Sequence, residues 1–157
     1  MVIFYEPHQQ FLKKLLENKV EFILIGGYAV NYHGYNRPTG DMDIWLKPEN
    51  TNKERLITAL RSEKFSEKSI RQIASLDFTL PACFYFGKIP LRIDFLTKIS
   101  GISFEDADSQ KQLMKVDDIH IPVLHLHHLI LSKISNDRSR DKADVEELQK
   151  IHRLKKK

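Results

Sequence analysis

Cysteine is almost missing from this chain: Cys83 is one thiol among 157 residues. No intrachain disulfide can form, and nothing points to an oxidising compartment. Long apolar runs are missing as well; none approaches the ~20 residues that cross a bilayer. The N-terminal stretch MVIFYEPHQQ has no basic region followed by a long apolar run and an Ala-x-Ala-like site, so no secretory signal is expected. There is no internal repeat and no low-complexity segment. A cytoplasmic protein without a membrane partner is the expectation. Neither sign of charge dominates. Lys and Arg number 25 against 21 Asp and Glu, a net charge of +4, with an isoelectric point near 9.1. That permits a polyanionic partner without demanding one. Part of the excess lies in the terminal HRLKKK, which reads as a solvated tail. No helix concentrates enough Lys and Arg to favour a non-catalytic nucleic-acid binder.

What is present is ordinary globular composition, 41% hydrophobic and 29% charged. A chain this long buries roughly two-thirds of its unfolded surface and folds without a disulfide or structural metal. One domain over 1–157 is expected, with a core at about 8–123 and a helical part at about 124–157.

The hydrophobic pattern gives the order of elements. His8 to Asn18 reads as a helix with Phe11, Leu12, Leu15 and Leu16 on one stripe. Phe22 to Ile25 reads as a buried strand stopping at Gly26-Gly27, and Tyr28 to His33 as a short helix. Asn36 to Gly40 is a loop by composition. Asp41 to Leu46 alternates with the period of a strand. Thr51 or Asn52 can cap a helix running to about Lys64, with Leu56, Ile57 and Leu60 inward. Ser69 to Leu80 fits a strand or a frayed helix. Ala82 to Phe86 and Ile89 to Leu96 read as one hairpin, and Lys111 to Val116 with Ile119 to Val123 as a second. Helices at about His125 to Ser135 and Arg140 to Leu154 close the chain. This order predicts an α/β (α+β) fold, a small mixed sheet flanked by helices.

The informative stretch is Gly26-Gly27 followed by Asp41-Met42-Asp43. Alternate side chains of a strand share a face, so Asp41 and Asp43 point one way and Met42, Ile44 and Leu46 point to the core. Two such carboxylates repel unless a hard cation sits between them, and Mg²⁺ takes oxygen ligands of this kind. Asp94 alternates with Leu91, Ile93 and Phe95 on a later strand. If that strand lies beside the first, three carboxylates can hold two Mg²⁺ ions for in-line nucleotidyl transfer. Asp94 can equally be an edge carboxylate paired with Arg92. Glycine lets backbone approach a ligand, and the helix after it offers N–H groups and a positive dipole end. Gly26-Gly27 is therefore either a phosphate seat or a plain turn.

Phe22 to Leu46, FILIGGYAVNYHGYNRPTGDMDIWL, resembles the signature of the nucleotidyltransferase superfamily related to DNA polymerase β. In style it resembles the small bacterial enzymes of the AbiEii toxin type. Those carry a glycine turn, a short helix, an Arg-x-Thr loop and an Asp-x-Asp strand, matched here by Gly26, Gly27, Arg37, Thr39, Asp41 and Asp43. Asp94 matches the third carboxylate by place, and Lys133, Arg138, Asp141 and Asp144 fall where the group has a Lys, a basic loop and two further acids. The chain departs from the pattern at Gly27, where many members have a phosphate-binding Ser, and in a longer spacing from glycine to carboxylate.

The resemblance implies transfer of a nucleoside monophosphate from an NTP, ATP among them, to an acceptor hydroxyl. Asp41, Asp43 and Asp94 would bind two Mg²⁺ ions, with Asp94 helping to deprotonate the acceptor. Gly26, Gly27 and Thr39 would form the nucleotide site, with Arg37 and Lys133 neutralising pyrophosphate. A toxin–antitoxin setting, with an antitoxin partner and a tRNA end or protein side chain as acceptor, is implied; a small molecule is the competing acceptor. The alternative is a nucleotide-binding module or partner subunit that keeps the fold without turnover.

Several of these residues have a plainer reading beside the functional one. Arg37 can be a loop charge and Thr39 a cap. Lys133 can sit on an exposed helix face paired with Asp137. Asp141 and Asp144 can serve the helix dipole, or hold Lys133 or Arg138 in place as the resemblance implies. Trp45 shares the face of the aspartates and either stacks on a base or packs. His120, His125, His127 and His128 match no strong zinc spacing and read as ordinary histidines.

Overall fold

The computed structural model describes residues 2–135 and 138–155. Helix α1 (Glu6–Glu17) buries His8, Phe11, Leu12 and Leu15. It begins two residues before the expected start, because Pro7 sits in the first turn, where a missing N–H costs nothing. Strand β1 (Phe22–Ile25) runs directly into α2 (Gly26–Tyr32), so the glycines open the helix. Strand β2 (Asp41–Leu46) returns antiparallel to β1, with Ile25 opposite Asp43. Helix α3 (Asn50–Ser62) follows, with Leu56, Ile57 and Leu60 inward as the periodicity predicts.

The expected side-chain cap of α3 is not observed. Its N-cap is Glu49, and no side chain caps it. Asn52 turns inward instead. Its amide donates to the carbonyls of Glu21 (2.8 Å) and Lys47 (3.2 Å) and accepts from the Glu21 N–H (2.8 Å), tying the start of β1 to the end of β2. The ambiguous stretch after it contains a helix, α4 (Glu67–Ala74), capped by Ser66 and burying Ile70 and Ile73. Buried Lys53 donates to the carbonyls of Ala74 and Leu76 at the end of α4.

Strands β3 (Cys83–Phe86) and β4 (Arg92–Leu96) form the first hairpin, and β5 (Gln112–Val116) and β6 (Ile119–Val123) the second. Between them lies α5 (Phe104–Gln110), an element absent from the expected order. Helices α6 (Leu126–Ile134) and α7 (Ser139–Lys155) follow and pack on each other. The six strands make one mixed sheet in the order β3-β4-β2-β1-β6-β5. This is the α/β architecture that the element order predicts.

Register decides what the sheet can do. β2 and β4 are parallel neighbours although α3, α4 and β3 separate them in sequence. One face of that pair carries Met42, Ile44, Ile93 and Phe95, all buried, with Phe11 of α1 edge-on to Phe95 at 5.9 Å. The other face carries Asp41, Asp43 and Asp94, then Trp45. Trp45 is fully buried: its indole N–H donates to the Thr97 carbonyl (3.2 Å) and Phe104 of α5 packs edge-on against it at 5.2 Å. Base stacking by Trp45 is therefore excluded, because α5 covers it. No helix among the described residues is long and apolar enough to cross a membrane.

Candidate active site

Strand pairing builds the acidic centre. Asp43 and Asp94 are cross-strand partners of the parallel β2–β4 pair, and Asp41 lies two residues earlier on the same face. Each of the three offers a carboxylate oxygen, and these atoms all lie within 4.8 Å of one another. That is the oxygen-donor set a hard divalent cation takes. Of the plainer reading of Asp94, the pairing with Arg92 is present and the edge position is corrected, because β4 lies inside the sheet between β3 and β2. Arg92 grips it bidentately, at 2.9 to 3.2 Å, while its guanidinium lies 3.8 Å over the Tyr85 ring. The carboxylate is thus aimed while it faces the other two.

The glycines are needed for space. Gly26 has a φ of +69°, and a Cβ there would fall on Asp43 Oδ2. Gly26→Ala is therefore expected to destabilise the fold by roughly 1–3 kcal/mol and to push Asp43 out of the centre. Thermal melts with and without a divalent cation check this; an unchanged response to the cation overturns it. A Cβ at Gly27 would fall on the Thr39 hydroxyl. The departure from serine at this position has that physical reason. Thr39 Oγ1 occupies the space beside α2 and donates to the Asp41 carbonyl at 2.9 Å. The loop that carries Thr39 is shaped by Asn31, whose amide donates to the carbonyls of Tyr35 and Arg37, both at 2.9 Å.

The C-terminal helices close the other side. Lys133 of α6 is buried, and its ammonium donates to Asp141 (3.1 Å) and Asp144 (2.8 Å) of α7. The exposed-face reading of Lys133 is thereby corrected: its two partners lie eight and eleven residues downstream, and Asp137 is outside the described residues. Asp144 also accepts a fork from Arg37, Nε at 2.7 Å and Nη2 at 2.9 Å. Asp141 accepts from Arg138 at 2.8 Å. The acids of α7 therefore hold the cations, and a dipole role alone does not describe them. Arg37, Thr39, Asp41, Asp43 and Lys133 line one cleft of ≈ 340 Å³ with Gly26 and Gly27.

Residues 5–157 match the family described as nucleotidyl transferase of unknown function (DUF2204). The chain belongs to this family. It is a nucleotidyl transferase, a class that implies an NTP and an acceptor. The fold is similar to that of the lincosamide antibiotic adenylyltransferase LnuA in its lincomycin-bound crystal structure. The TM-score is 0.58 at 15% identity, over 95% of this chain and 98% of that one. At that identity the likeness is one of fold. No curated protein matches the sequence.

The electrostatics of this transferase's cleft follow from burial and crowding. Desolvation raises the Asp43 carboxyl to about 7, helped by the charges of Asp41 and Asp94 and opposed by Lys133 and Arg138. Asp41 is raised for the same first reason and by its hydrogen bond with Asp94, with Arg140 and Arg92 pulling it back. A centre that resists full ionisation alone is one that a divalent cation would complete. Arg138 and Arg140 reach the cleft as well. Arg140, to which the motif assigns no role, opens α7, and the basic pair Arg138 and Arg140 at the start of that helix is the signal for it. His125 is the N-cap of α6, its ring accepting from the His127 N–H at 3.1 Å.

Proposed function

We propose that this chain, acting as one domain in the cytoplasm, moves a nucleoside monophosphate from an NTP to a hydroxyl on a small molecule. Membership of a nucleotidyl transferase family supports the reaction class. The observation that carries the proposal is the convergence of Asp41, Asp43 and Asp94 within 4.8 Å at the cleft edge. Mg²⁺ bound there would neutralise the carboxylates, grip phosphate oxygens and acidify the attacking hydroxyl.

The protein's own groups divide the remaining work. Asp41 and Asp43 hold the cation and Asp94 completes the set. Arg92 keeps Asp94 aimed, so that it can take the proton as the acceptor oxygen bonds to the α-phosphorus and the bond to the β-phosphate breaks. Gly26, Gly27 and the first N–H groups of α2 seat the phosphates, with the Thr39 hydroxyl beside them. The positive charges of Arg37 and Lys133 stabilise the departing pyrophosphate from their places on Asp144 and Asp141.

A small-molecule acceptor is favoured because the chain and a lincosamide adenylyltransferase share one architecture over nearly the whole of both lengths. ATP is the donor to try first for the same reason. The test incubates wild type and Asp43→Ala with each labelled NTP, Mg²⁺ and hydroxyl-bearing acceptors, a lincosamide and a tRNA among them. Label transfer to the small molecule, lost by about 10³-fold or more in the variant, is expected. Transfer to tRNA or protein would move the chain to the toxin-type acceptor. Tight nucleotide binding with no transfer to any acceptor would leave it a binding module.

A further inference from the structure

Five cationic side chains line the cleft: Arg37, Lys98, Lys133, Arg138 and Arg140. They fall into two groups. Arg37, Lys133 and Arg138 each end on a carboxylate of α7. Arg37 spends Nε and Nη2 on Asp144, and its Nη1 donates to the Pro38 carbonyl at 3.1 Å. Lys133 divides its ammonium between two carboxylates that are themselves buried. To hand the donors of Arg37 and Lys133 to a ligand would strip buried Asp144 of its partners, which is costly.

Arg140 and Lys98 are different. Both are exposed, and neither forms an ion pair or hydrogen bond among the described residues. They reach the cleft from separate elements, Arg140 from the first turn of α7 and Lys98 from the segment just beyond β4. Arg140 is near enough to Asp41 for its charge to be felt there. An exposed Arg and Lys lining the cleft that holds Asp41 and Asp43 are uncommitted donors on one space. A guanidinium fork matches phosphate oxygens, and an ammonium adds a mobile point charge.

We propose that Arg140 and Lys98 are the direct ligands of the terminal phosphates of the NTP, and of the pyrophosphate that leaves, while Arg37 and Lys133 act from fixed positions. This rests on the reading of the cleft as an NTP site. In that site the charges divide into an ion-paired set on the α7 carboxylates, largely buried at Arg37 and Lys133 and exposed at Arg138, and an unpaired exposed set that closes on the substrate.

The test is calorimetric titration of the full chain with Mg²⁺–pyrophosphate and with each Mg²⁺–NTP. The proteins are wild type, Arg140→Gln, Lys98→Gln and the double variant. A charged hydrogen bond lost at each position predicts roughly 10- to 100-fold weaker binding for Arg140→Gln. The double variant should be weaker still, with thermal midpoints unchanged because neither residue holds the fold. Arg140→Lys, which keeps the charge but loses the fork, should fall between. Pyrophosphate affinity within about twofold of wild type in the double variant overturns the proposal. A wild-type chain that binds neither pyrophosphate nor any NTP overturns the NTP reading itself, a result distinct from the first.

Discussion

Asp43→Asn is expected to destroy transfer and, in the same protein, to raise the stability of the metal-free fold at pH 8. Both effects come from one carboxyl. Burial raises it to about 7, with Asp41 and Asp94 adding to the shift. A carboxyl whose folded value exceeds its unfolded value of 3.8 contributes stability that is complete below pH 4 and lost as pH rises through 7. A shift of that size corresponds to about 2–4 kcal/mol at pH 8 once relaxation of the neighbours is allowed for. Asparagine cannot ionise and does not carry that penalty. In EDTA, wild type should therefore melt lower at pH 8 than at pH 5.5, while Asp43→Asn loses most of this slope and keeps the part that the raised Asp41 carboxyl contributes. The variant should melt roughly 5–15 °C above wild type at pH 8. Mg²⁺ should recover stability in wild type, more at pH 8 than at pH 6, because the cation needs the ionised ligand. Transfer should fall by about 10³-fold or more. A variant no more stable than wild type at pH 8 in EDTA would show that the centre is not electrostatically strained.

The acidic centre was legible where it depends on local period and not where it depends on pairing. Alternation along Asp41–Leu46 puts two carboxylates on one face without any tertiary knowledge. The place of Asp94 required β4 to lie parallel and next to β2, with two helices and a strand intervening in sequence. The family resemblance pointed there, and the register delivered it. Trp45 is the complementary case: of its two readings the packing one holds. Its face was read correctly, but what covers that face is α5, a seven-residue helix. Its signal was present as Ser103 followed three residues later by Asp106, and the Ser103 hydroxyl does accept the Asp106 N–H at 3.1 Å.

Other features were illegible for physical reasons. Gly27 and Thr39 share one volume, and a single sequence does not state such compensation. Asn52 is a good capping residue by type, yet three backbone groups of Glu21 and Lys47 outcompete the helix end for its buried amide. Pro7 hides the start of α1, although His8 falls on the stripe of Phe11, Leu12 and Leu15 and is buried with its Nδ1 at 2.8 Å from the Tyr28 hydroxyl. Burial lowers the pKa of that imidazole.

Asp144→Ala is expected to cost about 3–5 kcal/mol, which approaches the whole stability of a small domain. The Asp144 side chain is 1% exposed, and both its oxygens are used, by the Arg37 fork and by Lys133. Burial works to raise this carboxyl, and the bonds from Arg37 and Lys133 overcome it and hold it below its ordinary value. Its stability contribution is therefore present above pH 4 and lost as pH falls below it, opposite in sign to that of Asp43. Alanine would leave a guanidinium and an ammonium in the interior with one fewer anion between them. The surface member of the same network sets the contrast. The Arg138 side chain is 75% exposed, and Arg138→Gln should cost less than about 1 kcal/mol. Urea unfolding of the two variants at pH 7 measures both. Arg37→Met combined with Asp144→Ala should recover part of the loss, because it removes one of the stranded charges along with the carboxylate. A loss below about 1 kcal/mol for Asp144→Ala would mean that water reaches the network and screens it. Arg37 and Lys133 would then be free to turn onto phosphate, and the division between wall-forming and substrate-closing cations would dissolve.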